Sequence, residues 1–253
     1  MSEFAGERIA KVIARAGLCS RRDAERLIEE GRVTLNHKTL RSAAVNVTDG
    51  DLIRVDGKLL PKKEEAKLWR YHKPAGLIVS HNDPEGRQSV FDKLREQLPR
   101  VVSIGRLDVN TEGLLLLTND GEMARFLELP SSGWIRRYRV RAYGKVDDTS
   151  LAKLKDGVVI DGVNYGPIEA KVDQIKGDNA WLSFDIREGK NREIKKVCEH
   201  INLTVNRLIR TAFGPFSLGE LARGGIEEVP PKFLKEQLGP KFKDHNADHR
   251  RKT

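Results

Sequence analysis

Apolar residues recur at helical spacing at Ile9, Val12, Ile13 and Ala16, which predicts a helix over residues 7–16 ended by Gly17. Ser20 opens a second helix, with Asp23 three positions on in a capping-box-like arrangement. Ala24, Leu27 and Ile28 form its apolar face and Gly31 its end. Strands are expected at 33–36 and 51–55, the latter before an Asp56-Gly57 turn. Residues 61–67 (PKKEEAK) lack apolar spacing and read as a linker. Further on, residues 68–72 and 77–80 flank a Lys-Pro-Ala-Gly turn and predict a hairpin. Val90, Leu94 and Leu98 mark a helix over 89–98. The wholly apolar run Leu114, Leu115, Leu116, Leu117 reads as a buried strand closed by the Asn119-Asp120-Gly121 turn. A helix over 123–129, a loop at 130–133 and an alternating basic strand over 136–143 (RRYRVRAY) follow. A short helix at 151–157 precedes strands near 158, 168–172 and 181–186. Ile194, Val197, Cys198 and Ile201 then form a helical stripe, and residues 203–213 return as a strand. The polar, basic tail over 239–253 is expected to be disordered.

Composition narrows the class. A chain of 253 residues, 33% of them charged, fits one large domain or a small one plus a larger one. No apolar run approaches the roughly 18 residues that a membrane helix needs. The charged N-terminus lacks the apolar core of a signal peptide. Cys19 and Cys198 lie far apart, which argues against a disulfide framework and for a reducing cytoplasm. Of the six histidines only His200 sits beside a cysteine, Cys198, and that pair reads as structural, so no metal site is expected. The net charge of +9 suggests a polyanionic partner, nucleic acid being the commonest. Arg15, Arg21, Arg22 and Arg26 cluster where the first two helices meet. Arg21 and Arg22 oppose the dipole of the second helix, a placement that makes sense if they share a phosphate with its exposed amides. A solvated basic face explains them equally well.

One carboxylate stands out. In SIGRLDVNTEGLLLLTNDG, residues 103–121, Asp108 lies in a loop opened by Gly105 and held against the buried strand, where reactive groups often sit. A turn-capping aspartate is the plainer alternative.

Two resemblances change the balance. The first 60 residues, with LCSRRDAERLIEEGRVTLN at their centre, resemble the small RNA-binding module first described in ribosomal small-subunit protein four. That resemblance implies binding of structured RNA through Arg15, Arg21, Arg22 and Arg26, chiefly by phosphate and shape. GRLDVNTEGLLLLTNDG, RRYRV, EGKNREIKKVCEH and RLIRTAFG match, in order and spacing, the motifs of the RsuA/RluB family of ribosomal-RNA pseudouridine synthases. The RluB branch, which acts on large-subunit ribosomal RNA, is nearest.

The resemblance implies an isomerase that needs no cofactor, converting uridine to pseudouridine with Asp108 as nucleophile. The absence of a Gly-rich phosphate loop or dinucleotide fingerprint is consistent with that chemistry. It also implies a basic residue beside Asp108, Lys195 by motif position with Arg192 as the other candidate, since a neighbouring cation favours an ionised carboxylate. By the same resemblance Tyr138 stacks on the target uracil, Arg106 helps hold the flipped nucleotide and Leu208 packs on the base, although a core leucine explains Leu208 as well. The expected fold is α+β: an αα-β RNA-binding domain over 1–60, a linker over 61–67, then a catalytic domain over 68–238. The latter is expected as a mixed, largely antiparallel sheet with flanking helices. A cytoplasmic monomer whose partner is ribosomal RNA is expected, with no membrane. Non-catalytic RNA binding and nucleoside or phosphodiester cleavage through Asp108 are the alternatives.

Overall fold

The computed structural model describes residues 6–239 and 242. The tail expected over 239–253 lies, apart from Gly239 and Phe242, outside them. The N-terminal module comprises β1 (Glu7–Arg8), α1 (Ile9–Arg15), α2 (Arg21–Glu29), β2 (Val33–Leu35), β3 (Lys38–Thr39), β4 (Asn46–Val47), β5 (Ile53–Val55) and β6 (Lys58–Leu59). Ile9 and Ile13 meet Ala24 and Ile28 across the helix pair, over Val33, Val47, Ile53 and Val55. This core is separate from those of the rest of the chain and contributes about 1.5–3 kcal/mol for each large aliphatic side chain it buries. Glu7 and Arg8, expected in the first helix, instead pair with β4, and the Ile9 amide is taken by the Val45 carbonyl at 3.0 Å. Satisfying those backbone groups across the sheet outweighs one more helical turn.

The remainder contains β7 (Leu68–Lys73), α3 (Val90–Leu94), β8 (Val102–Ile104), β9 (Thr111–Thr118), α4 (Gly121–Glu128), β10 (Arg136–Tyr143), α5 (Asp148–Lys153), β11 (Val158–Ile160), β12 (Val163–Tyr165), β13 (Glu169–Lys176), β14 (Asn179–Ile186), α6 (Glu193–His200), β15 (Thr204–Phe213), β16 (Phe216–Ser217), β17 (Ile226–Glu228) and a helix α7 over 231–239. Its sheet runs β13-β14-β10-β15-β9-β7-β17, with β8 on β9 and β16 on β15. All of its pairings are antiparallel except β15 on β9. The fold is therefore α+β with a mixed, largely antiparallel sheet.

The four-leucine run is the centre of β9, and every residue of that strand is buried. Leu115 and Leu117 face one core, shared with α3, α5 and α6; Leu114 and Leu116 face the other, shared with α4 and α7. One edge of β9 pairs with β7 over residues 113–118. The other is divided: β8 holds it at residues 116–118 and β15 at residues 111–113. The loop 105–110 springs from that changeover. Gly113 makes the close parallel contact possible, because at its φ of +102° any Cβ would collide with the Arg210 carbonyl oxygen.

The hairpin expected across Lys-Pro-Ala-Gly does not form. Both edges of β7 are already occupied, by β9 and β17, so residues 77–79 find no partner there. They make a single bridge, Ile78 to Ser89. Residues 61–67 have no secondary structure but are held to the turn after β9. Lys63 pairs with Asp120 at 2.9 Å, and Asn119 accepts from the Lys67 amide at 2.8 Å.

Candidate active site

Asp108 sits in the β8–β9 loop, about a third exposed, and Lys195 Nζ lies 2.9 Å from its Oδ2. The partner arrives from the first turn of α6, oriented by burial of Ile194, Val197 and Cys198 on the opposite side. Arg192, the other candidate, precedes α6 in a left-handed conformation (φ +52°), is exposed, and makes no contact with Asp108. The ammonium therefore comes from Lys195.

What holds the loop is a residue that the sequence patterns did not single out. Lys73, at the end of β7, is completely buried. Its Nζ donates to the carbonyls of Pro74 (3.0 Å), Asp108 (3.2 Å), Val109 (3.0 Å) and Thr111 (2.9 Å). The Val109 carbonyl also accepts from the Gly76 amide at 2.8 Å, and the Asp108 carbonyl from the Thr111 amide at 3.0 Å. The backbone on both sides of Asp108 is thus fixed from below. Burial pulls the Lys73 ammonium down to about 8, while Asp108 and Glu112 act in the opposite direction. A period-2 reading of β7 contains the signal, since Trp69, Tyr71 and Lys73 share its inward face.

Glu112, inside the GRLDVNTEG motif, is a second residue to which the sequence assigned no role. It is buried on β9 and receives the Arg207 guanidinium as a fork, at 2.7 and 3.1 Å, and Arg223 at 2.8 Å. Arg207 foremost holds its carboxyl below the usual range. This triad ties β9 to β15 beside their parallel contact.

Tyr138 and Leu208 are both nearly buried and belong to the same apolar cluster as Leu107, next to Asp108, and Ile194 of α6. Arg106 is exposed and makes no ion pair among the described residues. At the N-terminal module, Arg15 pairs with Glu7, Arg21 with Glu25 at 3.5 Å and Arg26 with Asp23 at 2.9 Å. Arg22 is exposed without such a partner among the described residues. At the start of α2 Ser20 Oγ accepts from the Asp23 amide at 3.0 Å, the cap expected there. The cap takes the Asp23 amide and not those of Arg21 and Arg22. Cys198 is buried and His200 exposed, and among the described residues no three His, Cys, Asp or Glu side chains converge as a metal-ligand set. No described helix is long and apolar enough to cross a membrane.

Glu193 starts α6 two residues before Lys195. It is almost fully buried, one carboxyl oxygen accepts from the Lys190 amide at 2.8 Å, and the other has no partner. Burial raises this carboxyl to about 7, and nearby Glu188 adds to the rise. A folded pKa above the unfolded value means stability that is present below about 4.5 and lost as pH rises through 7. Glu193→Gln is expected to keep the amide contact and remove that loss. Thermal melts should then fall less between pH 5 and pH 7 than those of the wild type, by several degrees for about 2 kcal/mol. Parallel melting curves for the two proteins would show the carboxyl to be neutral or irrelevant throughout that window.

The family model described as RNA pseudouridylate synthase matches residues 67–200, and the S4 domain model matches residues 7–53. The chain belongs to the RNA pseudouridine synthases. A Rickettsia felis relative described as an uncharacterized RNA pseudouridine synthase is 46% identical over 230 residues, 91% of this chain and 100% of that protein. The ribosomal large subunit pseudouridine synthase B of Pasteurella multocida is 41% identical over 244 residues, 92% of this chain and 71% of that protein. Among solved structures, a pseudouridylate synthase crystal structure superposes with a TM-score of 0.64 at 26% identity, covering 92% of this chain and 99% of the other. The enzyme is thus an isomerase of the pseudouridine synthase family with an S4 RNA-binding domain ahead of its catalytic sheet.

Proposed function

We propose that this synthase isomerises a specific uridine of large-subunit ribosomal RNA, with Asp108 as the nucleophile. The observation that carries the reading is the Asp108–Lys195 pair, 2.9 Å apart, on a clamped loop beside the apolar cluster of Tyr138 and Leu208. The names of relatives such as the Pasteurella multocida enzyme support the large subunit as the source of substrate.

The reaction breaks the bond from ribose carbon-1′ to base nitrogen-1, forms one to base carbon-5, takes the proton off carbon-5 and leaves one on nitrogen-1. Redox state and composition do not change, so no cofactor is required. Lys195 holds the Asp108 carboxylate in place for attack on the nucleotide, and the covalent adduct retains the base while it turns. Tyr138 stacks on the uracil and stands where the carbon-5 proton leaves, and Leu208 packs on the ring. Arg106 and Arg192, both exposed at the mouth, take phosphates of the flipped nucleotide. Residues 1–60 form the RNA-binding domain, with Arg22 the most available among Arg15, Arg21, Arg22 and Arg26, ahead of the 61–67 linker and the 68–238 catalytic domain. Asp108 and Lys195 come from one chain, which supports action as a monomer. The unpaired thiols of Cys19 and Cys198 suit a cytoplasmic setting.

Pseudouridine mapping of ribosomal RNA from cells with and without this gene is the test. Loss of one position in the large-subunit RNA is expected. If no position disappears, or only one in the small-subunit RNA does, this substrate assignment fails.

A further inference from the structure

Helices cover the second face of the sheet over only part of its width. The core beneath α4 and α7 draws on β7, β8, β9, β15 and β16 and contains no residue of β10, β13 or β14. On those three strands the same side stays open. Alternation along β10 turns Arg137, Arg139, Arg141 and Tyr143 outward, away from Tyr138 and Val140. Register places Trp181 of β14 directly beside Arg141, and Gln174 of β13 beyond it.

An antiparallel sheet often leaves one face to water, so exposure alone decides nothing. The chemistry of this face is more particular. The Arg139 guanidinium lies 4.6 Å over the Trp181 ring. Next to it a recess of about 290 Å³ is lined by Arg141, Gln174, Lys176, Asn179 and Trp181. It offers an indole wall, two amides and two cations. Of the acidic groups nearby, Asp185 accepts a fork from Arg137 at 2.8 and 2.7 Å and Asp173 accepts from Ser183 at 2.7 Å, while Glu169 and Asp178 are exposed and make no ion pair among the described residues. Arg141, Lys171 and Lys176 make no ion pair among the described residues, and with Arg137 and Arg139 they outnumber the carboxylates Glu169, Asp173, Asp178 and Asp185, so the face keeps a small surplus of positive charge.

We propose that this recess and the arginine row beside it bind a second, single-stranded segment of the RNA substrate. A base stacks on Trp181 with its edge on Gln174 and Asn179, and the flanking phosphates meet Arg141 and Lys176. The proposal takes from the functional reading only that the substrate is RNA. An acidic peptide would satisfy the cations and leave the indole and amides idle, whereas a nucleotide uses all three. Tyr138 lies on the opposite side of the same strands, so the segment held here is not the target nucleotide. To reach both faces the RNA passes around the β13 edge. The enzyme would thus recognise its substrate by spacing between two segments as well as by the sequence at the target.

The full-length protein with Arg141→Gln/Lys176→Gln, and separately with Trp181→Ala and Trp181→Phe, tests this. Binding of purified large-subunit ribosomal RNA and single-turnover pseudouridine formation are measured side by side over a salt series. Trp181→Ala should weaken binding at least about fivefold, with Trp181→Phe retaining most of it. The double substitution should weaken binding and reduce the salt slope by about one to two. KM should rise in both while kcat stays near wild type. Unchanged affinity and salt slope in the double variant would overturn the proposal, even if Trp181→Ala fails to fold. So would a double variant that binds RNA normally but loses contact with a ribosomal protein, since the face would then be a protein-docking surface. Wild type that forms pseudouridine in this RNA while the variants bind it normally sinks this proposal alone. Wild type that forms none there sinks the functional reading instead.

Discussion

Asp108→Asn yields a protein that folds, binds ribosomal RNA with wild-type affinity and forms no measurable pseudouridine. The asparagine oxygen can still accept from Lys195 Nζ, so the loop keeps its conformation. The pair is partly exposed, and losing its charge attraction costs less than about 1 kcal/mol of stability. What disappears is the proposed nucleophile, and the neutral amide cannot form the covalent adduct. Removing a nucleophile costs on the order of 10⁴-fold or more in rate. Release of tritium from RNA labelled at uridine carbon-5 measures this directly. Retention of more than a hundredth of wild-type activity would remove Asp108 from the nucleophile's role. Loss of RNA affinity in step with activity would assign it to binding.

Lys73→Met is the second large effect. Methionine fills most of the lysine volume but offers no donor, so four carbonyls lose their shared partner while staying largely buried. We expect a destabilisation of about 3–5 kcal/mol, and at least a hundredfold loss of rate in protein that remains folded, because Asp108 is no longer held. Titration gives an independent reading on the unmodified enzyme. The folded Lys73 pKa, about 8, lies below its ordinary value of 10.5. Between those values the unfolded chain binds more protons, so this group alone makes the fold more stable as pH rises through the window. Deprotonation nevertheless leaves two donors for four carbonyls. Activity should therefore fall as pH passes about 8 with no matching fall in melting temperature. A rate that stays flat to pH 9.5 would show that three donors are not needed to hold the loop.

The sequence revealed those elements whose own residues carry the pattern. The leucine run, the alternation of RRYRVRAY and the stripe of Ile194, Val197 and Cys198 each report one face of one element, and each lies where expected. Asp108, Tyr138, Lys195 and Leu208 were reachable because ordered motifs name positions. Pairing partners were less legible. Nothing in residues 68–80 shows that β7 has both edges filled by strands 45 and 155 residues away, so the local turn suggested a hairpin. Lys73 escaped for a related reason. A lysine before Pro-Ala-Gly looks like a solvent-facing turn residue until the carbonyls it binds arrive from another segment. The choice between Lys195 and Arg192 likewise depended on where α6 begins and on the left-handed turn at Arg192.

The divided edge of β9 has a consequence for when the enzyme becomes competent. Residues 111–113 must wait for residues 208–210, and Asp108 for a partner 87 positions later. The N-terminal module, by contrast, closes its own core from residues 9–55. Domains fold in order as they emerge from the ribosome, at about 5–20 residues per second. An RNA-binding module is therefore complete roughly 10 s or more before β15 can complete the sheet. For that interval the nascent chain can grip RNA that it cannot yet modify.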